Sequence, residues 1–85
     1  METLYRLADG KVEALEFIVS ENSACTGKPL KEMKLKANII VAALVRGKHT
    51  IIPDGNTDIR PGDHAIIIAK AGQLKELDSI IEVKR

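Results

Sequence analysis

Residues 38–69 read NIIVAALVRG, KHTIIPDGNTDI and RPGDHAIIIA, three apolar runs parted by two short polar breaks. The first run decides the fold. Strict alternation along a strand puts Ile39, Val41, Ala43 and Val45 on one face and Ile40, Ala42 and Leu44 on the other. Both faces are then apolar, and such a strand belongs to a sheet that is covered on both sides. A chain of 85 residues has little material for two covering layers, so the second cover is expected from another subunit.

Working outward, strands are expected at about 38–46, 49–53 and 63–70. Gly47-Lys48 fits a tight turn and makes the first two an antiparallel pair. Pro53-Asp54-Gly55-Asn56 and Arg60-Pro61-Gly62-Asp63 are turn-forming tetrads. They bracket Thr57-Asp58-Ile59, a brief extended segment whose Ile59 dips into the core. Upstream, residues 3–8 and 11–19 form a hairpin closed at Asp9-Gly10, a pair that accepts positive φ. Val12 and Ala14 share one parity, whereas Leu15, Phe17 and Val19 share the other. That slip predicts a bulge, or a strand that meets different surfaces at its two ends.

Residues 20–28, SENSACTGK, read as a loop. Pro29 suits the first position of a short helix, about Pro29 to Lys34, that buries Leu30 and Met33. From Gln73 to Glu82 the residues Leu74, Leu77, Ile80 and Ile81 recur at helical spacing. The expected architecture is α+β, a small and mostly antiparallel sheet with two helices. It forms a single domain over 1–85, with residues 1–10 as a lead-in strand and turn and 11–82 as the core. Val83-Lys84-Arg85 gives no sign of a further domain.

Composition limits what this domain does. It holds one Phe, one Tyr and no Trp, so aliphatic side chains must build the core. Burial contributes about 25 cal/mol per Å2, and chains of this size bury only roughly 60% of their unfolded surface. Dimerisation is an ordinary way to add to that. Thirteen basic and twelve acidic residues are mixed along the chain, which argues against nucleic acid as a partner. One cysteine, Cys25, allows neither an internal disulfide nor a cysteine-built metal site. Residues 1–20 lack the apolar core of a signal peptide, and Ile39 to Val45 is too short to span a bilayer. The expectation is a soluble cytoplasmic domain without direct membrane insertion.

Catalytic machinery is hard to find. His49 and His64 sit at strand starts, and neither has a Cys or second His at metal-ligand spacing. Asp58 and Asp63 lie in turn sequence, where Asp bonds local backbone. Ser20, Ser23 and Thr26 have no adjacent base. Thr26-Gly27-Lys28 imitates a phosphate loop, but position 22 is Asn and Pro29 follows the lysine. The chain is expected not to be an enzyme. A binding cleft has more support: Lys34, Arg46, Lys48 and His49 would rim it, over a floor of Ile39, Ile40, Ile51 and Ile52 beside Pro53. The same cations could equally solvate a sheet edge.

Taken in order, Gly27-Lys28-Pro29-Leu30, the run from Ile39 to Gly47, Ile51-Ile52-Pro53 and Arg60-Pro61-Gly62-Asp63 resemble the TrkA C-terminal (RCK C-terminal) domain, from about Val12 to Ile81. Leu4-Tyr5-Arg6-Leu7 with Asp9-Gly10 resembles the segment that leads into it. The resemblance implies a small α+β regulatory domain of potassium uptake or other ion transport, usually a homodimer. It would sit at the cytoplasmic face of the membrane, joined to a Rossmann-type nucleotide-binding domain and acting on a membrane potassium transporter or channel subunit. No G-x-G-x-x-G occurs here, so no cofactor such as NAD or ATP is expected in this domain. Some members bind cyclic di-AMP between two such domains, which implies a small anionic effector and puts Lys34 and His49 near positions where those members use basic or imidazole groups. Together with the cleft above, the candidate ligand contacts are Lys34, Ile39, Ile40, Arg46, His49, Ile51 and Pro53. An Asn expected for that ligand falls here on Ile40, and Asn38 is displaced by ~6–7 Å along the strand.

Overall fold

The computed structural model describes residues 1–82; Val83, Lys84 and Arg85 lie outside the described residues. Five strands form one antiparallel sheet: β1 (Thr3–Leu7), β2 (Val12–Ile18), β3 (Ile39–Arg46), β4 (His49–Ile51) and β5 (His64–Lys70). Their order is β1-β2-β5-β3-β4, so the HAIIIAK strand β5 is central and β1 and β4 are the edges. The β1–β2 hairpin turns through Ala8, Asp9 and Gly10, all at positive φ (52°, 56° and 82°). Gly47, at φ +60°, closes the β3–β4 hairpin and sets Arg46 opposite His49.

Two expectations about register are corrected. No bulge interrupts β2, whose pairing with β5 runs without a break from Val12↔Lys70 to Ile18↔His64. Its two parities face two different surfaces. The bulge lies in β3, where Val41 pairs with Ile67 and Ala43 with Ile66, leaving Ala42 as the extra residue. An extra residue reverses the alternation beyond it. Ile39, Val41 and Leu44 therefore share the buried face, while Ile40, Ala43 and Val45 share the other. Without the bulge Leu44 and Arg46 would point away from the core.

The expectation of two helices is also overturned: among the described residues only two 3-10 turns occur, Leu30–Glu32 and Leu77–Ile80. The chain is already extended again at Met33 (φ −93°, ψ 138°) and Ile81 (φ −84°, ψ 131°). A segment of ten residues or fewer nucleates a helix poorly, and these two have better partners for their backbone groups. Leu30 N–H donates to Thr57 O and Lys31 N–H to Gly55 O, both at 2.9 Å. Lys36 N–H donates to Ile80 O (2.8 Å) and Glu82 N–H to Lys34 O (2.7 Å), and Leu35 bridges Ile81. The two loops thus hold each other by strand-like bonds. The i, i+3 spacing of Leu74, Leu77 and Ile80 serves one 3-10 turn and its approach, because residues three apart also coincide in that winding.

One face of the sheet is covered by these loops. Leu15, Phe17 and Val19 of β2 and its end, Val41 and Leu44 of β3, and Ala65, Ile67 and Ala69 of β5 meet Leu74, Leu77 and Ile80 there. Ile59, at 0% exposure, closes this core from the 58–59 segment as expected. Cys25 is fully buried in it.

Candidate functional site

Among the described residues nothing covers the opposite face. Register places Tyr5 and Leu7 of β1, Val12 and Ala14 of β2, Ile66 and Ile68 of β5, and Ile40, Ala43 and Val45 of β3 side by side on it. Ile40 is 62% exposed and Tyr5 65%. Single exposed apolar residues are common, but a continuous field across four strands marks a contact surface. This is the unpartnered face that the doubly apolar β3 sequence demanded, and β5 shares the property.

Charge marks the two ends of this field. At one end, Lys11, Asn38 and Lys70 border a concavity of about 620 Å3 floored by Val12, Ile40 and Ile68. At the other, His64 Nδ1 lies 2.7 Å from Glu16 Oε2. Hydrogen bonds from His64 and then Thr3 hold the Glu16 carboxyl below its usual range.

Arg46 faces the core side. Its Nε and Nη2 donate to the two Asp63 carboxylate oxygens at 2.9 and 2.8 Å, and Nη2 also donates to Asp58 O at 2.9 Å. Asp63 is 1% exposed and accepts a third bond from Arg60 N–H at 2.9 Å. The Arg46 guanidinium, followed by the Arg60 backbone bond, holds the Asp63 carboxyl below its ordinary 3.8 against the opposing effect of burial. A planar fork matched to a carboxylate in this way has its Nε and Nη2 donors in use.

The proposed cleft residues therefore lie in different places. Arg46 and His49 are cross-strand partners beside the β3–β4 turn. Ile51 pairs with Leu44 and packs on the core, and Pro53 follows it half-buried. Ile39 is buried on the core face, whereas its neighbour Ile40 points to the open face. Ile52 is exposed beyond β4. Lys34 is exposed on the loop that bonds Glu82, and no hydrogen bond or ion pair among the described residues joins it to Arg46 or His49. Ile39 and Ile40 cannot floor one cleft, because adjacent residues of a strand face opposite ways. Among the described residues no three His, Cys, Asp or Glu side chains converge, and no helix is long and apolar enough to cross a membrane.

Sequence reasoning passed over Tyr5, Leu7, Ile66, Ile68 and the lysines at their end. The signal was present in HAIIIAK, where Ile66, Ile67 and Ile68 follow one another and must face both ways.

A family model for the TrkA-C domain matches residues 14–82. The chain belongs to the TrkA-C domain family. Within it, the chain is similar to the Trk system potassium uptake protein trkA homolog 1 of Methanosarcina mazei, 35% identical over 77 residues, which are 91% of this chain and 19% of that protein. A TrkA homolog from Archaeoglobus fulgidus is 37% identical over 71 residues, covering 84% of this chain and 16% of its own length. The putative Na(+)/H(+) antiporter YjbQ of Bacillus subtilis is 30% identical over 77 residues, 91% of this chain and 12% of the antiporter. This TrkA-C chain thus spans less than a fifth of the length of these relatives.

Proposed function

We propose that this TrkA-C domain is a cytoplasmic regulatory module of a potassium uptake system, working as a homodimer through its open sheet face. The carrying observation is that face: an apolar field across β1, β2, β5 and β3 with nothing among the described residues to cover it. Family membership and relatives named for Trk potassium uptake support the system to which it belongs. The domain performs no chemistry of its own. Joined to a Rossmann-type nucleotide-binding domain and acting on a membrane potassium transporter, the dimer shifts a population between two arrangements of the larger domains. A small anionic effector such as cyclic di-AMP is the ligand class for the sensing form of this reading.

A second reading is an assembly module without a small-molecule ligand. It is favoured by one observation, that Arg46 already has its fork filled by Asp63. Potassium uptake by cells carrying the full-length protein tests the proposal: removal of residues 1–82 should abolish regulation of uptake, and unchanged regulation contradicts it. Lys34→Ala with His49→Ala separates the two forms. Lost regulation with an intact dimer supports sensing, whereas unchanged regulation supports assembly alone.

A further inference from the structure

The open face is polar in the electrical sense: its lysine end and its carboxylate end lie at opposite ends of the same strands. Lys70 is level with Val12, and Glu16 is level with Ile66, four residues back along β5. The row of Ala14, Ile68 and Ile40 lies midway between them. At ~4.8 Å between strands and ~3.3 Å per residue the field covers roughly 400 Å2 of flat footprint, in the range where apolar patches serve as contact sites.

Two copies can cover each other's faces about a two-fold axis lying between the sheets. An axis along the strands lays lysine end on lysine end, bringing four ammonium groups together and the two Glu16 carboxylates together. An axis across the strands lays each lysine end on the partner's Glu16 end. Aligned sheet packing tolerates either direction, so charge must choose, and like charges facing each other at a desolvating contact are strongly disfavoured. Among the described residues neither Lys11 nor Lys70 has an ion-pair partner, whereas Glu16 has His64 Nδ1 at 2.7 Å, so a partner lysine would share the Glu16 carboxylate with that ring.

Resting on the dimeric reading above, we propose that two copies of this chain stack open face to open face with opposed strand directions, each setting Glu16 against Lys70 and Lys11 of the partner subunit. The contact is isologous, so every pairing occurs twice. Near the axis Ala14, Ile68 and Ile40 pack on their own symmetry mates and supply the dry centre. The charged ends supply the direction and reject the other stacking. Tyr5 and Leu7 extend the contact along the β1 side.

Sedimentation equilibrium at low salt tests this with Lys70→Glu, Lys11→Glu, Glu16→Lys and the Lys70→Glu/Glu16→Lys double variant, each checked for native far-UV circular dichroism. Each single reversal should weaken the dimer by about tenfold or more, and the double variant should recover most of it. Added salt should shrink these differences. Lys70→Glu that tightens the dimer would overturn the proposal in favour of the lysine-on-lysine stacking. A dimer unmoved by every reversal would overturn the charge pairing and leave the dimeric reading standing. A wild-type chain that stays monomeric would overturn both.

Discussion

Arg46 and Asp63 meet through two parallel hydrogen bonds of 2.9 and 2.8 Å at the junction of β3, β5 and the 58–63 loop. The β3–β5 register steps from Leu44↔Ala65 to Val45↔His64, and the next step brings Arg46 opposite Asp63. The bulge at Ala42 is what turns Arg46 to that side. Arg46→Ala should cost about 2–4 kcal/mol in urea unfolding, because it strands a buried carboxylate. Arg46→Lys should recover less than half, since one ammonium cannot bridge both oxygens. If Arg46→Ala leaves the urea midpoint unchanged, the residue is free to serve a ligand and the clamp assignment fails.

Acid should weaken the fold below pH 4. Arg46 holds Asp63 below its ordinary 3.8, and Ser23 Oγ and then Ala24 N–H do the same for Asp78 against burial. A depressed folded-state pKa gives stability that is complete above 3.8 and is lost as pH falls through the lower folded value. Urea midpoints measured from pH 6 down to pH 2 should therefore decline below pH 4. Asp63→Asn should be less stable at pH 6 and show a flatter acid limb; an unaltered limb would contradict the assignment.

How much of this was legible in the sequence depends on the residue. The five strands, both hairpins and the inward turn of Ile59 followed from Asp9-Gly10, Gly47-Lys48 and the apolar runs between turn tetrads. The Ala42 bulge did not, because NIIVAALVR is apolar on either parity and nothing local marks the residue at which alternation reverses. The helices failed for a related reason: Leu74, Leu77 and Ile80 fit helical spacing, but bonds from distant Lys34 and Lys36 decide how that segment runs. Arg46 was visible as a cation. Its partner Asp63, 17 positions away, could be chosen only once the register was known.

Ala8 offers a simple gain. It sits at φ 52°, where a Cβ costs about 1–2 kcal/mol, whereas glycine pays mainly about 0.5–1 kcal/mol of chain entropy. Ala8→Gly should raise stability by roughly 0.5 kcal/mol in urea melts. A loss of stability would mean that the β1–β2 turn takes another conformation.

Cys25 should report opening of the core. Burial, against a bond to Ser23, pushes its thiol up to about 11, so very little thiolate exists near neutrality. A thiol-specific disulfide reagent at pH 8 should label the folded chain at least about a hundredfold more slowly than the chain in urea. Equal rates would contradict burial of the Cys25 thiol beside Leu77.

Ile68→Glu decides whether a second copy covers the open sheet face. Ile68 lies at the middle of that face on the central strand, away from the core side. Sedimentation equilibrium should give the wild-type chain twice its 9.3 kDa mass, and Ile68→Glu a monomer with unchanged far-UV circular dichroism. A wild-type chain that sediments at 9.3 kDa up to about 1 mM, or an Ile68→Glu chain that remains dimeric, would mean that no second copy covers this face.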